Sequence, residues 1–446
     1  MNNPRRGNTN ALSQSNPAQP SQPNPSVAQC HIDNKIGATK MTGAFPRRML
    51  DAGGRSLPPV LSAHIPTERF PGFISRSQPM SQELSAPPSF LKPHKRIYEL
   101  DGLRALAAIN LVLFHFTHVY SVKFGYSTPL GFEWPYGAYG TEMFFILSGF
   151  VNSMSLLRRG KPVDFVAARM IRIMPVFFMM ILANLWIMQY APLNSQPVTT
   201  GQFAANMTLL PRVLGYECLD PVMWTLQIEM MFYFTLVTMF RFGALRRYFV
   251  GWGSLLVLSY FVCPTLDGVA AENQSTTWFA AATALRRLML LDFVPLFAIG
   301  FLLYMIKTDV GKKWHNLVGI VLAAFVFHSI DHGKHNPAAT ALIVGLVAAS
   351  AYGIVPLLRI RPLVFISTIS YAIYLCHNNL GCVLIRRFDS IGYPPVVCFL
   401  LTIVFSVCVA VLVTNWIEGP ITKLLRTGWE RYRRKESSAS VQPAVE

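Results

Sequence analysis

Residues 98–121 read YELDGLRALAAINLVLFHFTHVYS, and the rest of the chain is organised around them. From Leu103 to Tyr120 the run is apolar except for Arg104, Asn110, His115 and a few weaker polar residues. That suits a membrane-crossing helix, which needs about 20 mostly apolar residues. Ionisable groups inside such a helix are costly to bury and mark functional positions. Arg104 and His115 are eleven residues apart. At 3.6 residues per turn they share a face, with His115 about 16 Å further along the axis. His118 follows one turn later on nearly the same face. Arg104 also fits a topology signal flanking a first helix, whereas a buried imidazole requires a partner.

The 446 residues are 52% hydrophobic and only 14% charged, with a mean hydropathy of +0.36. These values place the chain among polytopic membrane proteins. The net charge of +17 does not point to nucleic acid, because most basic residues fall in short clusters between apolar runs. The seven cysteines show no CxxC-type pairing, so no metal site is expected. Cys218 and Cys263 could meet on the outer face.

Residues 1–91 are of a different kind, and the first 29 are dominated by Asn, Pro, Ser, Gln and Ala. Such a segment cannot bury enough apolar surface to offset its ordering entropy, and it reads as a disordered cytoplasmic N-terminal tail. The membrane domain is expected over 92–427, and a basic cytoplasmic tail over 428–446. About ten apolar spans follow one another: 103–121, 135–156, 173–190, 223–240, 249–264, 288–306, 316–330, 338–357, 363–385 and 395–416. Basic residues mark the cytoplasmic connections. With the N-terminus inside, the outer connections hold only Lys123, Arg212, Arg286, Arg287, Lys334, Arg386 and Arg387, and the inner ones about three times as many. The expected fold is therefore an all-α polytopic membrane protein of about ten transmembrane helices, with both termini cytoplasmic.

Several polar residues interrupt these spans. The second carries GTEMFFILSGF, with Glu142 in its outer half and Ser148-Gly149 near its middle, where small residues allow close helix approach. Arg169 and Arg172, three apart on a short helix before Pro175, point the same way. Their planar forks suit bidentate phosphate binding, and they equally suit topology or anionic lipid. In DPVMWTLQIEMMFYF, Glu229 lies inside the apolar run with Thr225 and Tyr233 one turn either side. It is read as a catalytic or orienting carboxylate, or as a structural hydrogen-bonded partner. Trp224 also fits an interfacial anchor, and Arg286 with Asp292 a structural pair. Ser370, Tyr374 and His377 line one face of the ninth span, as a helix contact or a substrate wall. Glu418 and Pro420 mark the inner end of the last.

Arg104-x10-His115, FFILSGF (144–150), Arg169-x-x-Arg172-Ile-x-Pro175, WTLQIE (224–229), SYAIYLCH (370–377) and Glu418-x-Pro420 occur in that order. With these motifs the chain resembles the acyltransferase 3 family of integral membrane O-acyltransferases over about residues 95–427. The long N-terminal tail departs from the family core. No soluble domain is expected after the last span, so acyl transfer is expected to be completed within the membrane domain.

The resemblance implies transfer of an acyl group, most often acetyl, from cytoplasmic acyl-CoA to a hydroxyl of a carbohydrate or glycolipid acceptor, in a bacterial inner membrane. Arg104, Arg169 and Arg172 would hold the anionic end of CoA. His115 would act as general base or accept the acyl group, with Glu229 orienting it as in a triad. Ser148, Trp224, Tyr374 and His377 would line the substrate side. The rival class is a secondary transporter or flippase of glycans, which often shows internal repeats. The Arg-x10-His pattern does not recur in the second half.

Overall fold

Clusters of Pro, Gly and charge divide the apolar sequence into helices, and no strand forms among the described residues. The computed structural model describes residues 96–191, 193, 197–243, 247–270 and 277–439; the tail read over 1–91 lies outside them. In chain order the helices are α1 (Tyr98–Phe114), α2 (Ala138–Arg159), α3 (Pro162–Tyr190), α4 (Thr200–Met207) and α5 (Trp224–Arg241). They continue with α6 (Tyr248–Ala270), α7 (Thr277–Leu288), α8 (Val294–Lys307), α9 (Lys313–Ile330), α10 (Pro337–Ala351), α11 (Arg361–Ile391), α12 (Pro395–Val413) and α13 (Gly419–Ala439). Two π-helical turns, His115–Val119 and Thr414–Glu418, extend α1 and join α12 to α13.

Among the described residues, six helical runs are long and apolar enough to cross a membrane: 98–123, 162–190, 221–241, 248–269, 313–330 and 395–436. Val294–Lys307 and Pro337–Ala351 are shorter apolar helices. The protein is thus an all-helical integral membrane protein.

The bundle is built around α8, where every residue from Val294 to Met305 is buried, as expected of a helix apolar on all sides. It packs most extensively on α2. Gly149 and Gly300 let those two backbones approach. A Cβ on Gly149 would overlap the Phe297 carbonyl oxygen, and one on Gly300 would overlap that of Ile146. Beside this crossing the Phe232 and Phe297 rings stack at 4.0 Å. Gly149→Val is therefore expected to destabilise the bundle by about 1–3 kcal/mol or more through overpacking. The check is thermal unfolding in detergent, where an unchanged midpoint would remove this crossing from the account.

Two sequence expectations are corrected. The third span was expected to open at Pro175, after a separate short helix, yet α3 is continuous from Pro162 with Pro175 inside it. Proline frees the carbonyl four residues earlier. Here that is Ile171, whose oxygen accepts from Thr422 Oγ1 at 3.4 Å, a repair of the kind that makes proline tolerable in membrane helices. The sixth span was expected from 288, but α7 ends there and Leu290 takes a φ of 60° before α8 begins. Arg286 holds this break by bonding Asp292 (Nε–Oδ1 3.0 Å) and also Asp267 (2.6 Å). Cys218 and Cys263 are free thiols.

Helix α1 is pinned at both ends. Glu99 accepts from Arg359 Nε at 2.6 Å. Tyr126 OH donates to the Phe116 carbonyl at 2.8 Å, and the Trp134 amide donates to Thr117 Oγ1 at 2.9 Å. Arg104 and His115 therefore sit on a fixed strut.

Candidate active site

His115 opens the π-helical turn, closed by the Tyr120 N–H to its carbonyl; such turns recur at functional sites. Its Nδ1 lies 2.8 Å from the Leu111 carbonyl oxygen. A carbonyl only accepts, so Nδ1 carries the proton of the neutral ring. His377 Nε2 stands 3.4 Å from the same Nδ1, with the rings edge to face at 4.9 Å. His377 Nδ1 faces the carbonyls of Ile373 (3.1 Å) and Tyr374 (2.9 Å). Its proton is therefore on Nδ1, and its Nε2 presents a lone pair to His115. Both contacts fix the His115 proton on Nδ1 and leave Nε2, which takes part in no hydrogen bond among the described residues, as the basic nitrogen.

His377 is fully buried, at 0% exposure. Its ring meets His115 edge to face, which joins α11 to the π-helical turn of α1. Tyr374, one turn earlier, donates to the Val222 carbonyl at 2.7 Å and touches the Thr225 hydroxyl. This joins α11 to the start of α5. Ser370 bonds the Ser367 carbonyl at 2.9 Å and is buried.

Glu229 lies about one helical turn from Thr225 on α5, roughly 6 Å along the axis. Its Oε1 accepts from Tyr233 OH at 2.5 Å and Ser148 Oγ at 3.2 Å, and Ser148 in turn accepts from Asn152 Nδ2 at 2.7 Å. The expected pairing of Glu229 with His115 is not formed. The hydrogen bonds of Glu229 go to Tyr233 and Ser148, and Arg172, Asp101, Glu229 and Arg169 are the charged neighbours of Arg104. The Asp101 carboxylate is 3.7 Å from Arg104. The Arg169 guanidinium lies between the Phe165 and Tyr233 rings, at 5.6 and 5.8 Å. Arg172 forms no hydrogen bond or close ion pair among the described residues. Three guanidiniums thus gather at one level of the bundle, with His115 about 16 Å away along α1.

Trp224 does not join this group. Its ring packs on Phe293 (5.4 Å) and Phe145 (6.2 Å), with the Arg212 guanidinium at 5.9 Å, because α5 turns this position toward α8. Beyond His377 a polar clasp closes the other end of the site. Asp220 accepts from Asn378 Nδ2 (2.9 Å) and the Asn379 amide (3.2 Å). Asn379 Nδ2 reaches Asn184 Oδ1 at 2.7 Å and the Leu219 carbonyl at 2.9 Å. Burial pushes the Asp220 carboxyl up to about 6, against the opposing pull of Asn378 and the two backbone N–H donors. Sequence reading missed this clasp, although two adjacent carboxamides in an apolar run are its visible sign. Among the described residues no group of three or more His, Cys, Asp or Glu is arranged to hold a metal ion.

The family model described as an acyltransferase domain matches residues 97–415. The chain belongs to the acyltransferase 3 family. Within that family it is similar to the O-acetyltransferase OatA of Staphylococcus aureus (strain NCTC 8325 / PS 47), 24% identical over 369 residues that cover 73% of this chain and 57% of OatA. The putative peptidoglycan O-acetyltransferase YrhL of Bacillus subtilis (strain 168) is 25% identical over 367 residues, 74% of this chain and 55% of YrhL. Nodulation protein 10 of Rhizobium leguminosarum bv. viciae is 29% identical over 314 residues, 62% of this chain and 81% of that protein. The acyltransferase 3 chain described here therefore spans little more than half the length of OatA and YrhL. No solved structure matches it.

Proposed function

We propose that this protein is a membrane O-acyltransferase that moves an acyl group, acetyl first among them, from cytoplasmic acyl-CoA to a hydroxyl of a surface or exported carbohydrate. The observation that carries this reading is the pairing of three gathered guanidiniums with a tautomer-fixed imidazole about 16 Å away on the same strut. Phosphates of CoA lie on Arg104, Arg169 and Arg172, and the extended pantetheine arm bridges the distance to His115. His115 Nε2 takes the acceptor's hydroxyl proton as that oxygen attacks the thioester carbonyl. The C–O bond forms, the C–S bond breaks, and the leaving thiolate recovers the proton from the imidazolium. Glu229, held by Tyr233 and Ser148, balances the guanidinium charge and keeps Arg104 aimed at the donor. The same reading takes the chain across the bilayer about ten times with both termini in the cytoplasm of a bacterial inner membrane. Residues 92–427 then form the catalytic domain between two cytoplasmic tails.

Two measurements test this. Mass spectrometry of surface glycans from cells with and without the protein should show an ester-linked acyl group that disappears in its absence. Purified protein should also hydrolyse acetyl-CoA slowly without any glycan. Intact glycan acylation together with lowered glycan export in the deletion strain would favour a transporter instead.

On this reading His377 is a positioning residue. His377→Gln should lower kcat by about ten- to a hundredfold, because the His115 ring loses the partner that fixes its proton on Nδ1. The KM for acetyl-CoA should stay within about twofold. A rise in acceptor KM at unchanged kcat would return His377 to the substrate wall.

A further inference from the structure

The segment between α1 and α2, residues 124–137, has no part in the mechanism above, yet it lies at the end of α1 remote from Arg104. It is fastened to three helices. Ser127 bonds Asp389 in the last turn of α11 twice, through Oγ at 2.6 Å and through its amide at 3.0 Å. The Phe132 ring meets Phe399 of α12 at 5.4 Å. Trp134 Nε1 donates to Asn110 Oδ1 of α1 at 2.6 Å, and Asn110 Nδ2 donates to the Tyr136 carbonyl at 3.2 Å. Gly137 closes the segment on α1, since a Cβ there would overlap the Phe114 side chain. Held in this way, the segment presents two rings and a carboxylate at its surface. Trp134 and Tyr136 are 39% and 58% exposed, with their rings edge to face at 5.5 Å, and the Glu133 side chain is 52% exposed.

A chain of contacts links Glu133 to the base. His118 Nδ1 bonds Glu133 Oε1, and because a carboxylate only accepts, the His118 proton lies on Nδ1. His118 Nε2 is a buried atom without a hydrogen-bond partner. The Phe114 ring touches both imidazoles, His118 face to face and His115 edge to face, each at 5.3 Å. Burying an imidazole with one nitrogen unpaired is costly, and its result here is an exposed carboxylate held between two exposed rings. That is the chemistry of sugar recognition: a carboxylate accepts from ring hydroxyls, and aromatic faces pack on the C–H face of a pyranose. We propose that Glu133, Trp134 and Tyr136 form the acceptor subsite for a sugar ring, with His118 as the positioning residue that fixes the carboxylate. This rests on the acyl-transfer reading and deepens it by placing the acceptor. Anchoring at the membrane interface, the other common role of exposed Trp and Tyr, gives no reason for the carboxylate between them.

The test is steady-state acetyl transfer by the detergent-purified full chain from acetyl-CoA to the ester-free surface glycan isolated from a strain lacking the protein. Wild type, Glu133→Gln and Tyr136→Ala are compared, with ligand-free melting temperatures confirming that each variant folds. Loss of a charge-assisted hydrogen bond should raise the glycan KM of Glu133→Gln by about ten- to a hundredfold. Removal of the Tyr136 ring should raise it by about tenfold. In both variants kcat at saturating glycan and the KM for acetyl-CoA should stay within about twofold of wild type. An unchanged glycan KM in the two variants, beside a wild type that transfers acetyl, overturns the subsite alone and leaves the segment as an interface anchor. An acetyl-CoA KM that rises in step with the glycan KM, or a fall confined to kcat, also overturns it. A wild-type protein that neither hydrolyses acetyl-CoA nor acetylates this glycan overturns the acyl-transfer reading, and the subsite with it.

Discussion

His115→Ala is expected to lower acyl transfer by about two to four orders of magnitude at an unchanged level of protein in the membrane. The size follows from what the ring does. In water at neutral pH a sugar hydroxyl is a weak nucleophile, and a general base within hydrogen-bond reach contributes on that scale. The structure has already set the conditions for a base: Nδ1 is occupied by the Leu111 carbonyl and faces His377 Nε2, so Nε2 carries the lone pair. His115→Asn, which places an amide near the Nδ1 position and nothing at Nε2, should be as inactive as alanine. Truncation of a side chain on the pinned α1 strut should leave folding intact, so membrane level and melting temperature serve as controls. Glycan ester content by mass spectrometry and acetyl-CoA turnover by thiol release are the readouts. Wild-type acylation in a folded His115→Ala protein would end the base assignment, and an acyl group trapped on the ring of wild type would recast His115 as a nucleophile.

Position along a helix was legible in the sequence and direction between helices was not. The eleven-residue spacing of Arg104 and His115 places both on one face of one helix, as does the Ser370–Tyr374–His377 series, because 3.6-residue periodicity is a property of the single chain. Which helix faces which is decided by packing between distant segments. Glu229 illustrates this. A carboxylate in an apolar run announces a partner, but nothing in the run says whether that partner is His115, or Tyr233, Ser148 and the arginines. The answer depends on α2, whose close crossing with α8 through Gly149 and Gly300 brings Ser148 to α5. Trp224 shows the converse. Its place in WTLQIE belongs to the family motif, and its ring serves the aromatic packing around Phe293. Pro175 was read by its local rule, and the rule was overridden by Thr422, some 250 residues away. The pair of π-helical turns, each carrying a motif residue, left no periodic trace in the sequence, since one inserted residue in a helix is invisible without the hydrogen-bond pattern.

The arginine cluster carries the other large effect. Arg104→Ala combined with Arg172→Ala is expected to weaken acetyl-CoA binding by about a hundred- to ten-thousandfold, taking roughly ten- to a hundredfold for each charge-assisted phosphate contact. Arg104 is a third of the way into the strut, its one ion pair within 4 Å among the described residues being with Asp101 at 3.7 Å, and Arg172 has no partner within 4 Å among the described residues. Little protein structure is therefore lost with either side chain. Removal should in fact relieve repulsion among three cations, so the double variant should melt no lower than wild type in the absence of ligand. Lysine at both positions separates charge from shape. It restores the two positive charges but not the planar fork, and should recover only part of the affinity. The effect should appear in the KM for acetyl-CoA, with kcat at saturation much less affected, because the guanidiniums stand about 16 Å from the bond that breaks. A double variant that keeps wild-type KM while kcat collapses would move these arginines from donor binding to the reaction centre, and would require the CoA phosphates to bind elsewhere on the inner face.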